Sequence, residues 1–453
     1  MSPRWAALGA TGLFSACAVA LPQPVSSGPT SQQVFANSRD PPFYQQLDAA
    51  TRARAALGHA VFNTQWVRAG TPLAGRRDGL GPLYNAASCD ECHNEGLRGR
   101  GPVGDGPAPQ ALIVQLEVPT AFDQPAKGDP HYGHVLNTAA LAGLEPEGRV
   151  SIQYREDTGR YPDGTEWHVR VPRYLFSALR YGPLSPATVL KPRLAPSLFG
   201  NGLLEAVPET AITDPYVATD GRGPGAPSVG APAWQWVDGR RRLGRFGWQG
   251  TALSIRDQTT RAFSREMGLT SRDVDHDDCT AAETDCLAQP NGGSPEVADD
   301  LLDAVVEFQR WLAVPAPGAA VVAPSTDPLF VQVGCAACHR PSLPVMLQGP
   351  DGTSTRSAIA PYTDLRLHDL GPGLADTDAA GRKVPSLWRT APLWGLGYRV
   401  QREHYPTFLH DGRGRSIEEA ILWHDGEARA AREAFEHLTT PGRTVLMQWL
   451  AAL

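Results

Sequence analysis

The sequence predicts a mainly α-helical protein of two units, each built around a C-x-x-C-H motif, with small β insertions and long ordered loops. Three observations predict this. The motifs stand at 89–93 and 335–339 of 453 residues, far enough apart for one domain each at the usual ~100–200 residues. Apolar residues recur at helical spacing ahead of both motifs. With 46 Gly and 41 Pro in the chain, much of the remainder reads as loop.

Taken in order, Arg4 precedes an apolar stretch from Trp5 to Leu21, and Ala18-Val19-Ala20 offers a small-residue cleavage site. Residues 1–20 therefore read as an export signal, because the stretch is too short and weakly hydrophobic for a membrane anchor. Phe14-Ser15-Ala16 ahead of Cys17 also resembles a lipoprotein signal, with Phe where Leu is usual. A lipid on Cys17 thus stays open as the chain's single route to a membrane. Either version predicts a periplasmic or cell-envelope location. Residues 21–42, rich in Pro, Ser and Gln, read as a tether. A first unit then spans 43–294, with a β-rich insertion, and a second spans 295–453.

Leu47, Ala50, Ala55, Leu57, Val61 and Phe62 predict a helix between about Phe43 and Trp66. Ala111 to Val118 and Val150 to Tyr154 read as strands. Trp167, Val169 and Val171 alternate with His168 and Arg170 after an Asp163-Gly164 turn, as in a hairpin. Residues 207–245 read as a long ordered loop. Helices are predicted over Leu253–Met267 and Pro295–Leu312. Ser416-Ile417-Glu418-Glu419 is a capping-box sequence, opening a helix whose buried side carries Ile417, Ala420, Ile421 and His424. Thr440-Pro441 starts a last helix, with Thr as N-cap. There is no internal repeat beyond the two motifs.

The formal charge of −7 argues against a nucleic-acid partner, which selects for a basic face. The cysteines are Cys17, Cys89, Cys92, Cys279, Cys286, Cys335 and Cys338. In an exported chain Cys279 and Cys286 read as a disulfide closing an acidic loop. A metal site with His276 and the nearby Asp residues is the alternative. The other four form the motifs. Covalent haem attachment needs two thiols at the spacing of the porphyrin vinyl groups, and a following His whose imidazole reaches the iron. A lone C-x-x-C would be a redox dithiol or half a zinc site. The His after both copies favours two covalently bound c-type haems, on Cys89, Cys92 and His93 and on Cys335, Cys338 and His339. A helix, a short loop and then C-x-x-C-H is similar to the opening of a cytochrome c domain, so the units are expected to be cytochrome c-like. The second axial position decides each haem's chemistry: a second strong ligand gives electron transfer, an open site binds peroxide or oxygen.

With both motifs placed, the chain from about residue 75 resembles the bacterial di-haem cytochrome c peroxidase superfamily, in its di-haem oxidoreductase (thiol-oxidoreductase-like) branch. The blocks carrying the resemblance are Gly79-Leu80-Gly81-Pro82-Leu83-Tyr84-Asn85, Arg193-Leu194-Ala195-Pro196-Ser197-Leu198, Gly244-Arg245-Phe246-Gly247-Trp248, Pro361-Tyr362-Thr363-Asp364-Leu365 and Leu409-His410-Asp411-Gly412-Arg413. In that superfamily the residue fourteen after the His of the H-D-G motif ligates the C-terminal haem iron. It is Met in the peroxidases, His in rubber oxygenases and Tyr in a methylamine-dehydrogenase-maturing relative; here it is His424. His410 itself would contact a haem propionate. Trp248 falls where relatives place an aromatic between the haems. Gln258 and the Glu266-Met267 pair resemble the residues distal to the N-terminal haem, although Glu266 stands two residues closer to Trp248 than usual. Phe263 falls where rubber oxygenases place a Phe above that haem. The blander readings are a core Trp, an exposed helical Glu and a core His.

Two departures shape the expectation. No His stands in the region after His93 where relatives carry a blocking ligand, so the first haem is expected to be open. The calcium-binding Asn of the family corresponds to Leu194, while Thr390-Ala391-Pro392 resembles the other calcium contacts, so calcium stays open. The resemblance implies a peroxidase that reduces hydrogen peroxide at the N-terminal haem, with electrons from a small redox protein passing through the C-terminal haem. An oxygenase or protein-modifying oxidase using oxygen, and a purely electron-transferring cytochrome, are the alternatives.

Overall fold

The computed structural model describes residues 30–31, 47–72, 74–121, 124–214, 230–315, 326–348 and 354–453. The signal and lipid-anchor readings at residues 1–20, and most of the tether, lie outside the described residues. No helix among the described residues is long and apolar enough to cross a membrane.

The expectation of a mainly α fold does not hold. The described residues are 28% helical and 24% strand, with several antiparallel sheets. The excess strand comes from short segments whose partners are remote. Val189–Leu194, containing Lys191 and Pro192, shows no alternation, yet pairs with Leu112–Glu117 on one side and Asp376–Asp378 on the other. Lys383–Val384 completes this four-stranded sheet. The stretch 207–245, read as loop, contains a Glu209–Thr213 helix and a Trp234–Val237/Arg240–Leu243 hairpin; 215–229 lies outside the described residues. Leu343–Gln348 and Ser354–Ile359 form another hairpin just after the second motif.

The longer helices are those with a clear period. Ala49–Phe62 is capped by Asp48, whose carboxylate accepts from the Thr51 amide. It packs against Asp299–Trp311 so closely that a Cβ on Gly58 would overlap the Ala304 carbonyl oxygen. Phe62 meets Phe308 there at 5.0 Å. Ile255–Met267 is capped by Ser254 and stopped by Gly268 in the left-handed region at φ 62°. Ser416 caps Ile417–Leu422, a short helix that ends just before His424. The cap of Thr440–Leu450 is Thr439, one residue ahead of the expected Thr440.

The Arg149–Arg160/Glu166–Ser177 hairpin turns at Asp163-Gly164, with Gly164 at φ 85°. Although inserted after the first motif, it packs on the C-terminal helices. The Tyr161 hydroxyl donates to Glu418 at 2.7 Å, Arg415 pairs with Glu156 at 2.7 Å, and Arg443 pairs with Asp163 at 2.6 Å. Arg170, 2% exposed, is the centre of this attachment. Its amide donates to Glu419 at 2.6 Å, and its guanidinium donates to the carbonyls of Pro102, Val103, Gly412 and Arg413 at 2.6–2.9 Å. Hydrogen bonds to a charged group contribute about 1.5–3 kcal/mol each, and several are lost together, so Arg170→Ala should cost about 3–5 kcal/mol. The urea midpoint measures it; an unshifted midpoint would show that the hairpin does not anchor the C-terminal unit.

Candidate functional site

Both motifs make the same local turn. The amide of His93 donates to the Cys89 carbonyl, and that of His339 to the Cys335 carbonyl, each at 2.9 Å. The turn brings each His back over its own cysteines. His93 Nδ1 lies 2.9 Å from the Pro196 carbonyl oxygen, and His339 Nδ1 lies 3.0 Å from that of Tyr362. A bonded Nδ1 fixes the ring and leaves Nε2 for a metal. Burial pushes both imidazoles down to about 4, which favours the neutral ring, the form able to ligate a metal. Burial also pushes the Cys89 and Cys335 thiols up to about 12. A redox dithiol works through an accessible thiolate, which the raised Cys89 and Cys335 thiols disfavour.

Cys89, Cys92 and His93 open onto a cavity of ≈ 140 Å³, far more than the roughly 10–15 Å³ that one water requires. The helix Ile255–Met267 lines it with one face: Ile255, Gln258, Thr259, Ala262, Phe263, Glu266 and Met267. These recur every three or four residues, as one side of an α-helix must. The shortened spacing from Trp248 therefore leaves Gln258, Phe263 and Glu266 on a common face, and Trp248 lines the same cavity. Phe263 is 1% exposed and sits edge-on to Trp66. Burial pushes the Glu266 carboxyl up to about 7, with Arg265 opposing. Among the described residues of the lining, His93 is the only histidine.

The second motif faces His424. The two rings lie 6.4 Å apart, centroid to centroid. His424 Nδ1 lies 2.7 Å from the Ala420 carbonyl oxygen, and burial lowers the ring below its ordinary range. Two imidazoles sharing one metal through Nε2, at bonds of about 2.0 Å, have centroids about 6 Å apart. The pair fits one metal between them.

Trp248 ties the cavity to the His410 segment through Leu194. Its indole N–H donates to the Leu194 carbonyl at 2.8 Å, and the Leu194 amide donates to the His410 carbonyl at 2.7 Å. Leu194 thus carries backbone links where the family's calcium ligand would stand, and it offers no side-chain oxygen. His410 is buried, stacked on Trp388 at 3.9 Å, and pushed down to about 3 by burial. It is brought close to neither motif's His in any contact among the described residues.

Two guanidiniums flank Trp248. Arg98 stacks over its ring at 5.0 Å, and Arg389, whose amide donates to the Trp248 carbonyl at 2.9 Å, donates its Nε to the neighbouring Gly247 carbonyl at 3.0 Å. Burial lowers Arg98 to about 9 and Arg389 to about 10. Arg98 Nε and Arg389 Nη1 are buried without a hydrogen-bond partner. Buried donors of this kind call for an acceptor, and haem propionates are anions of the right kind. With the cysteine–histidine turns and the His339–His424 separation, the residues present fit two haems.

The sequence reading missed Arg98, Arg389 and His368. His368, 2% exposed, lies between Asp364 (2.9 Å) and Glu427 (3.0 Å), with the Cys338 sulfur at 3.7 Å. Burial disfavours its charge, but the hydrogen bonds to Asp364 and Cys338 outweigh that and push it up to about 11. The only sequence signal was its position three residues past the Pro361–Leu365 block. Cys279 and Cys286 form a disulfide, so they ligate no metal, and His276 stands exposed beside Asp275.

Residues 187–453 match the family model described as "Di-haem oxidoreductase, putative peroxidase". No curated protein matches the chain. Among solved structures, hydrazine synthase of Kuenenia stuttgartiensis (determined under xenon pressure) aligns over 100% of both chains, at 14% identity and a TM-score of 0.32. That likeness is too low to bear on fold or function.

Proposed function

We propose, on the premise that the chain belongs to the di-haem oxidoreductase family, that it reduces hydrogen peroxide at the His93 site with electrons delivered through the His339–His424 site. The observation that carries this reading is the single cavity that gathers Cys89, Cys92, His93, Phe263 and Glu266 with no second histidine among its described residues. Cys89, Cys92 and His93 would hold one c-type haem covalently, and Cys335, Cys338, His339 and His424 the other. Held by His93 alone, a haem would supply peroxide activation; held by His339 and His424 together, it would supply electron transfer.

The remaining chemistry belongs to the side chains. The Glu266 carboxylate takes a proton from one peroxide oxygen and returns it to the other as the O–O bond breaks. Two electrons and two further protons complete the conversion of one peroxide to two waters. Held near 7, the carboxyl is available in both protonation states at neutral pH. The Gln258 amide lies on the same helix face, placed to orient a small polar molecule. Phe263 and Met267 limit the water that reaches it. Trp248, on the cavity wall, would relay electrons arriving from the second site. A small redox protein would supply the electrons, and the Cys279–Cys286 disulfide supports an extracytoplasmic setting.

Stopped-flow spectra of the fully reduced protein, mixed separately with peroxide and with oxygen, test this. Rapid oxidation by peroxide and slow reaction with oxygen are expected. Faster reaction with oxygen would favour an oxygenase. A wholly low-spin spectrum, unchanged by cyanide or peroxide, would leave electron transfer alone.

A further inference from the structure

We propose that the chain binds one calcium ion in a small cavity between the inserted sheet, the Cys279–Cys286 loop and the C-terminal end of the Ile255–Met267 helix. The cavity is ≈ 10 Å³, lined by Asn137, Glu147, Asp277, Asp278 and the backbone around Gly268, with room for one water-sized occupant. It lies apart from Leu194 and Thr390, and so from the family's calcium position.

The groups around it are acceptors. Asn137 is 4% exposed, Glu147 1% and Glu283 0%. The Asn137 amide and Nδ2 donate to the two Glu147 oxygens at 2.7 and 3.0 Å. This turns Asn137 Oδ1 away from any partner, and it is buried and unbonded. Glu283 stands behind the lining and shares a side-chain hydrogen bond with Glu147; the charge of Glu283 acts on Glu147, and that of Asp278 acts on Glu283. Burial, with those like charges, raises both above the ordinary carboxylate range. Either the proton of that hydrogen bond or a cation must neutralise the pair.

His134 cannot do it, because its ring and amide already hold Asp278 at 2.7 and 2.6 Å. Asp277 keeps one oxygen on the Cys279 amide at 3.2 Å. The thiols nearby are consumed in the disulfide, so the donor set is oxygen alone, which suits a hard cation. An irregular mixture of carboxylate, amide and backbone oxygens suits calcium better than magnesium, which demands near-ideal octahedral geometry. The ion would also sit at the negative end of the 13-residue helix Ile255–Met267. It would tie three segments remote in sequence behind the helix that carries Glu266.

The test uses the full-length protein with both haems attached. After purification without chelators, metal content is measured by plasma mass spectrometry. Thermal unfolding is then followed in EGTA, in calcium chloride and in magnesium chloride. About one calcium per chain is expected, with a Tm lower by about 3–5 °C in EGTA and restored by calcium but not by magnesium. Glu147→Gln, and separately Asn137→Leu, should abolish the calcium-dependent shift while leaving both haem spectra intact. Absence of bound calcium together with equal Tm in EGTA and calcium would overturn the proposal, leaving a water and a shared proton in the cavity. A calcium response that survives both substitutions would also overturn it, by placing the ion elsewhere.

Discussion

Glu266→Gln is expected to slow peroxide reduction by about 10²–10⁴-fold, the usual contribution of a positioned general base, while both haem absorption spectra stay unchanged. Glutamine keeps the shape of the side chain but neither accepts nor returns a proton. Of the residues on the cavity face of Ile255–Met267, Glu266 is the one carboxyl, so nothing on that face substitutes for it. Its raised value has a sign. A base acts in its deprotonated form, and burial holds this carboxyl up to about 7. The wild-type kcat/KM should therefore rise with pH and level off above about 7, and the rise should be missing in the variant. Steady-state peroxide reduction across pH 5–9 measures both effects. Equal turnover in the two proteins would remove Glu266 from the mechanism.

His424→Ala is expected to convert the second haem from low-spin to high-spin, with added imidazole restoring the low-spin spectrum. His339 keeps its Nδ1 contact to Tyr362 whether or not His424 is present, so attachment should survive and only the sixth position should open. Bis-histidine ligation should give a lower potential than histidine–methionine ligation, since a thioether favours ferrous iron. Loss of His424 should therefore also shift the midpoint of that haem and slow electron delivery to the peroxide site. Absorption and electron paramagnetic resonance spectra give the spin state. A low-spin second haem in the variant would refute the assignment of His424.

The sequence by itself determined what is local. Each C-x-x-C-H turn is set within five residues by thiol spacing and a returning amide bond. The helices Ala49–Phe62, Ile255–Met267 and Asp299–Trp311 follow from their apolar period, the first two also from a side-chain cap three residues away. The face carrying Gln258, Phe263 and Glu266 follows from the 3.6-residue repeat once that helix exists. His424 was picked out by the family resemblance, through a count of fourteen residues from His410, and not by reading a contact.

The tertiary structure decided what depends on partners far along the chain. Strands such as Val189–Leu194 and Asp376–Asp378 have no pattern of their own, because each is stabilised by a neighbour on a remote segment. That is why a mainly α expectation became a mixed fold. The hairpin around Arg170 was legible as a hairpin, but its attachment to residues some 240 positions later was not. Arg98, Arg389 and His368 gave no signal as isolated residues. An arginine or histidine becomes distinctive only when folding strips its water and decides which groups replace it. Chemistry carried by adjacent atoms is written in the sequence, whereas chemistry created by burial appears only when distant segments close over it.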